Sequence, residues 1–122
     1  MDYYRLSKKS FHERIRFFES HSQEISTLST SEKSEIQFDY LCCLFEIGRY
    51  RKFLAQVDPL IEEVIIENIY EIEGKDVYKD LLSKKAASSY NISDHAQADY
   101  ILKSLMSLYP EDPFFGRFSG RM

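Results

Sequence analysis

From Ile36 to Leu105 apolar residues return at spacings of three and four, the period of one face of an α-helix. The clearest run is Phe53, Val57, Leu60, Ile61, Val64 and Ile65, whereas a half-buried strand would alternate at every second residue. Little punctuates this pattern. A sheet protein needs a turn signal about every 8 to 12 residues, and the 122 residues contain only 4 Gly and 3 Pro. The expectation is an all-α fold in a single domain, residues 1–122. Five helices are placed at about 8–28, 31–47, 49–69, 75–91 and 94–109, with a loose tail at 110–122.

Local signals set these bounds. Ser7 can cap the first helix while Leu6 staples onto Phe11, and Ser10 with Glu13 offers a second capping box. The Ser/Thr cluster from Ser26 to Ser31 ends that helix, because hydroxyls compete for backbone hydrogen bonds. Ser29 or Ser31 caps the second, with Glu32 and Glu35 at the positive end of the helix dipole. Gly48 stops it, as the residue that most easily turns left-handed after a helix. Pro59 lies inside the third, either as a kink or as a fresh start behind Asp58. The unbroken phase of the apolar stripe favours the kink. Val64-Ile65-Ile66 alone would suit a strand, but Glu62, Glu63 and Glu67 surround it. Gly74 breaks the chain again, Ser93 or Asp94 caps the fifth helix, and Tyr109-Pro110 ends it.

Composition narrows function by exclusion. Sixteen basic against twenty acidic residues leave a formal charge of −4, the wrong sign for gripping a phosphate backbone, so nucleic acid is not an expected partner. No stretch approaches the roughly 18 apolar residues of a spanning helix, and Met1 to Ser10 lacks the apolar core of a signal peptide. Direct membrane insertion is not expected, and the expected location is the cytoplasm. Cys42 and Cys43 are adjacent, so they close no useful loop and match neither C-x-x-C nor zinc spacing. They are read as reduced packing residues.

Catalytic patterns are missing. His12-Glu13-Arg14-Ile15-Arg16 begins like a zinc-protease helix but carries Arg16 where the second His must stand. Neither His21 nor His95 has a Glu three residues before it, and no phosphate loop or nucleophile elbow occurs. The chain is therefore read as not an enzyme, with no metal and no cofactor. A small enzyme whose groups meet only in space stays as a weaker alternative. The carboxylates Glu62, Glu63, Glu67, Glu71 and Glu73 either face a basic partner or form the solvated side of a helix.

Two helical hairpins, 31–69 and 75–109, invite comparison as repeats. The second resembles a tetratricopeptide repeat through Leu82 and Ala86, then Ala98, Leu102 and Leu105, with Pro110 closing the unit. In the first, Gly48-Arg49-Tyr50 matches the family's turn, whereas Phe53 replaces its Ala and no Pro stands at Ile65. The resemblance implies stacked αα-hairpins with helix 1 as a cap, since a lone hairpin cannot bury its apolar face. An irregular five-helix bundle is the alternative.

The resemblance also implies a groove for a protein or peptide partner. Its positions would be Glu35, Phe38, Cys42, Phe45 and Glu46 in one unit and Asp80, Ser83, Ala87, Tyr90 and Asn91 in the other. Phe38, Phe45 and Tyr90 are either interface anchors or, if helix 1 fills the groove, core. The carboxylate-gripping Lys and Asn pattern of some members is not reproduced. A second reading is structural, with Phe114, Phe115 and Phe118 docking on another copy to form a homodimer. A third is that the segment belongs to a longer protein with an effector or membrane anchor beyond Met122.

Overall fold

Ser10, Ser29, Asp76 and Asp94 each accept a hydrogen bond from the backbone amide three residues on, and a helix begins behind each of them. The computed structural model describes residues 9–72 and 74–112. Among these the order is α1 (Phe11–Ser20), α2 (Ser22–Ser26), α3 (Thr30–Glu46), α4 (Tyr50–Ile66), β1 (Glu71–Ile72), β2 (Lys75–Asp76), α5 (Val77–Asn91) and α6 (His95–Leu108). The chain is mostly helical, and the all-α class stands. Leu6, Ser7 and the tail aromatics Phe114, Phe115 and Phe118 lie outside the described residues.

Three helix ends share one device. Gly48, Asn68 and Ser93 each take a left-handed backbone conformation just past a helix, at φ +79°, +55° and +68°. The amide after each reaches back five residues, Arg49 to Leu44, Ile69 to Val64 and Asp94 to Ser89, so otherwise orphaned carbonyls are satisfied. These turns reverse the chain between α3 and α4 and between α5 and α6, where Gly48 and Asn91 to Asp94 had marked breaks. Pro59 sits within α4, which continues through it as one helix.

Three expectations need correction. The first helix is not continuous from 8 to 28 but breaks at His21, whose φ of −113° leaves the helical region. The Phe17 carbonyl keeps its helical bond from the His21 amide, and the Ser20 hydroxyl donates to the same oxygen while the His21 ring nitrogen Nδ1 also contacts it, so three groups gather on one carbonyl at the break. The third helix ends at Ile66 rather than 69, because Asn68 caps it. The segment before α5 is a small antiparallel hairpin, Glu71 opposite Asp76 and Ile72 opposite Lys75, turned by Gly74 at φ +78°. It moves the start of α5 from 75 to Val77 and lays Ile72 into the core.

Packing follows chain order. α1 lies on α3, α3 on α4, α4 on α5 and α5 on α6, with a smaller contact between α3 and α5. Because α3 has neighbours on three sides, it is buried around most of its circumference, at Ser34, Ile36, Phe38, Leu41, Cys43 and Leu44. The main core joins Ile36, Phe38, Leu41, Cys43 and Leu44 to Ile15, Phe18 and Ile25, to Phe53, Val57, Leu60 and Val64 of α4, and to Val77 and Leu81. A separate, smaller cluster of Ala86, Ile101 and Leu105 holds α6 to α5, flanked by Leu82, Leu102, Met106 and Tyr109. Ion pairs cross the seams from Arg14 to Asp39 and from Lys85 to Asp58.

Candidate binding surfaces

Of the groove positions implied by the family resemblance, Cys42 and Phe45 on α3 stand next to Asp80 and Lys84 on α5. Phe38 is 3% exposed and belongs to the core, but not because helix 1 fills a groove over it: it shares the face of α3 with Cys42 and Phe45, which meet Asp80 and Lys84 of α5, whereas α1 meets α3 at Asp39 and Tyr40. This corrects its assignment as a partner contact. Phe45 is half-buried against Tyr50 and Phe53, and the Lys84 ammonium stands 5.6 Å from its ring centroid. Lys84 is also paired at 2.7 Å with Asp80, whose other neighbour is the Cys42 thiol at 3.9 Å. Burial pushes the Cys42 thiol up to about 12 and that of Cys43 to about 11, so both stay protonated at neutral pH.

The remaining groove positions divide by exposure. Ser83 turns its hydroxyl back onto the Lys79 carbonyl, and Ala87 and Glu35 are half-buried. Glu46, Tyr90 and Asn91 are exposed. The Asn91 amide donates to the Ala87 carbonyl, and Tyr90 meets His95 edge to face at 4.8 Å. Of the other histidines, His12 is exposed and His21 stacks on Phe17 at 4.0 Å. Among the described residues no three His, Cys, Asp or Glu side chains converge as a metal site would require.

A cleft of about 450 Å³ opens where α1 and α2 meet α3 and α4. Phe18, Ile25 and Ile36 are buried at its apolar side, while Glu19, Tyr40, Lys52 and Gln56 form its polar one. Lys52 is ion-paired with Glu19, and the Tyr40 hydroxyl donates to the same carboxylate at 3.1 Å. The bond from Lys52 holds the Glu19 carboxyl below the usual range, and Glu19 in turn raises Lys52. Burial raises the Tyr40 phenol. All three shifts move proton affinity away from neutrality, the reverse of what a general acid or base needs.

A second groove, of about 380 Å³, lies where α4 ends against the hairpin and the start of α5. Val64, Ile65, Asn68, Ile69, Tyr70, Asp76, Tyr78 and Tyr109 line it. Asn68 closes α4 beside it with a left-handed turn, and Ile65 and Ile66 in the last turn of the helix lie off its buried stripe and face water. Ile65 is 56% exposed, Ile66 72% and Tyr70 74%, with the Tyr70 hydroxyl donating to the Asn68 side chain at 3.0 Å. The sequence did contain a signal for this place, the β-branched run Val64-Ile65-Ile66, of which the structure buries only Val64.

Among the described residues no helix is long and apolar enough to cross a membrane. The fold thus defines the class of the chain as an all-α protein. Compared with protein-family models, curated proteins and solved structures, the chain matches none.

Proposed function

We propose that the protein is a non-catalytic module that binds a protein or peptide, and that the groove between the end of α4 and the hairpin is its main contact. The carrying observation is the pair Ile65 and Tyr70, mostly in water and lining a concave, aromatic-rich surface, with the exposed Ile66 next in sequence to Ile65. Covering the two isoleucines would return about 1 to 2 kcal/mol each. Tyrosine offers a partner both area and a polar tip, which makes it a frequent interface anchor. The chain-order packing of α3 to α6 supports the resemblance to tetratricopeptide repeats, and the exposed Tyr90 and Asn91, at the opposite end of α5, offer a separate surface.

The non-catalytic part is supported by the polar network of the other cleft. Glu19, Lys52 and Tyr40 are committed to one another and hold their ordinary charge states through neutral pH. The cytoplasm is the proposed location, in keeping with two free thiols that no bridge requires.

The test is quantitative affinity capture with the wild-type chain, Tyr70→Ala and Tyr90→Ala, each checked for an unchanged melting temperature. The expected result is a discrete partner lost on Tyr70→Ala. An identical captured set from the wild type and Tyr70→Ala would overturn the assignment of this groove.

A further inference from the structure

The groove at the end of α4 has a distinctive charge as well as a shape. Between residues 62 and 76 the sequence has six acidic residues, Glu62, Glu63, Glu67, Glu71, Glu73 and Asp76, against one basic residue, Lys75. Asp76 lines the groove, Glu67 is the residue after α4, and Glu71 stands in β1; all three are exposed. Lys79, the nearest cation on α5, is ion-paired with Asp112 and so leaves this acidic excess in place. Three tyrosine rings, Tyr70, Tyr78 and Tyr109, line the same groove. Aromatic faces attract cations, and nearby carboxylates strengthen that preference. The chain already shows the contact, with the Lys79 ammonium 5.1 Å from the Tyr109 ring centroid.

We infer that this groove receives a positively charged peptide segment, an Arg or Lys side chain lying against Tyr70 and Tyr78 while apolar neighbours cover Ile65 and Ile66. The inference rests on the binding function proposed above and adds the chemistry of the partner. Two features carry it jointly: rings and aliphatic surface supply contact area, and the surrounding carboxylates select the sign. An acidic segment would bring like charges together at Glu67, Glu71 and Asp76. A neutral apolar segment would leave the carboxylates unused.

The experiment titrates the isotope-labelled full chain with three short synthetic peptides that share the same Leu and Phe anchors and carry Arg, Ser or Glu elsewhere. Amide shifts should map to Ile65, Tyr70 and Tyr78, and the Arg peptide should bind at least about tenfold tighter than the Glu peptide at low salt. Tyr70→Ala should weaken it by about tenfold. The paired reversal Glu67→Lys and Glu71→Lys, at exposed positions, should remove the preference. Equal binding of the Arg and Ser peptides, still lost on Tyr70→Ala, would overturn the charge selection and leave the binding function standing. If none of the peptides shifts the groove, the inference is likewise overturned, and the binding function then depends on whether a captured partner is lost on Tyr70→Ala.

Discussion

Leu105 is fully buried in α6, yet it belongs to the small α5–α6 cluster rather than to the main core. Replacing it with Ala removes three buried carbon atoms. Buried Leu→Ala changes cost about 2 to 5 kcal/mol, and the lower end applies where the surroundings can collapse into the space. With only Ala86 and Ile101 as fully buried neighbours and half-buried flanks beyond them, about 2 to 3 kcal/mol is expected. Because the main contact of α6 among the described residues is with α5, that loss should fall on the opening of α6 before it reaches the rest of the molecule. Native-state hydrogen exchange measures this directly. Amides from Ile101 to Leu108 should exchange about 30- to 160-fold faster in Leu105→Ala, while those of α3 around Leu41 to Leu44 should change much less. Phe53→Ala, in the main core, should instead lower protection across α3, α4 and α5. An equal loss of protection in α3 and α6 of Leu105→Ala would refute the division into two clusters.

Further outcomes are expected elsewhere. The hydroxyls of Ser34 and Ser88 are buried without a hydrogen-bond partner, so Ser34→Ala and Ser88→Ala should each be neutral or stabilising by up to about 1 kcal/mol in urea denaturation. Glu19 has its carboxyl lowered in the folded state, so its contribution is present above the unfolded carboxylate range near 4.5 and is lost as pH falls through the lower folded value. Since its side chain is 39% exposed, Glu19→Gln should cost less than about 1 kcal/mol at pH 7, and less again in high salt; a larger loss would show the pair to be better shielded than its exposure indicates. A disulfide reagent at pH 8 should leave Cys42 and Cys43 largely unmodified in the native protein and label both after denaturation, because their thiols are pushed up to about 12 and 11.

The sequence made the helices legible wherever one stripe of apolar side chains met a clear terminator. Gly48 and the turn ending at Asp94 mark reversals because few residues tolerate a left-handed backbone, and the unbroken stripe across Pro59 correctly implied one helix. Other features depend on partners that periodicity does not reveal. The break at His21 coincides with side-chain contacts of Ser20 and His21 to the Phe17 carbonyl, added to its helical bond from the His21 amide, and the same residues would suit a solvent-facing helix. Two-residue strands are too short to alternate visibly, so the hairpin at Gly74 emerges only when the ends of α4 and α5 approach. Phe38 fits a groove or a core by spacing alone, and the approach of α5 to the face it shares with Cys42 and Phe45 decides between them. The groove near Tyr70 was hidden for the opposite reason: Ile65 continues an apolar helical pattern that reads as interior, yet it lies off the buried stripe of Val57, Leu60 and Val64 and faces water.

The chain-order packing of these helices has a kinetic consequence. Each substantial helix contact joins segments that are neighbours along the chain or are separated only by a short element, so native structure can accumulate without closing a long loop. Such low contact order places barrier crossing in the microsecond-to-millisecond range typical of helical domains, and partial assemblies need wait for no distant strand to arrive.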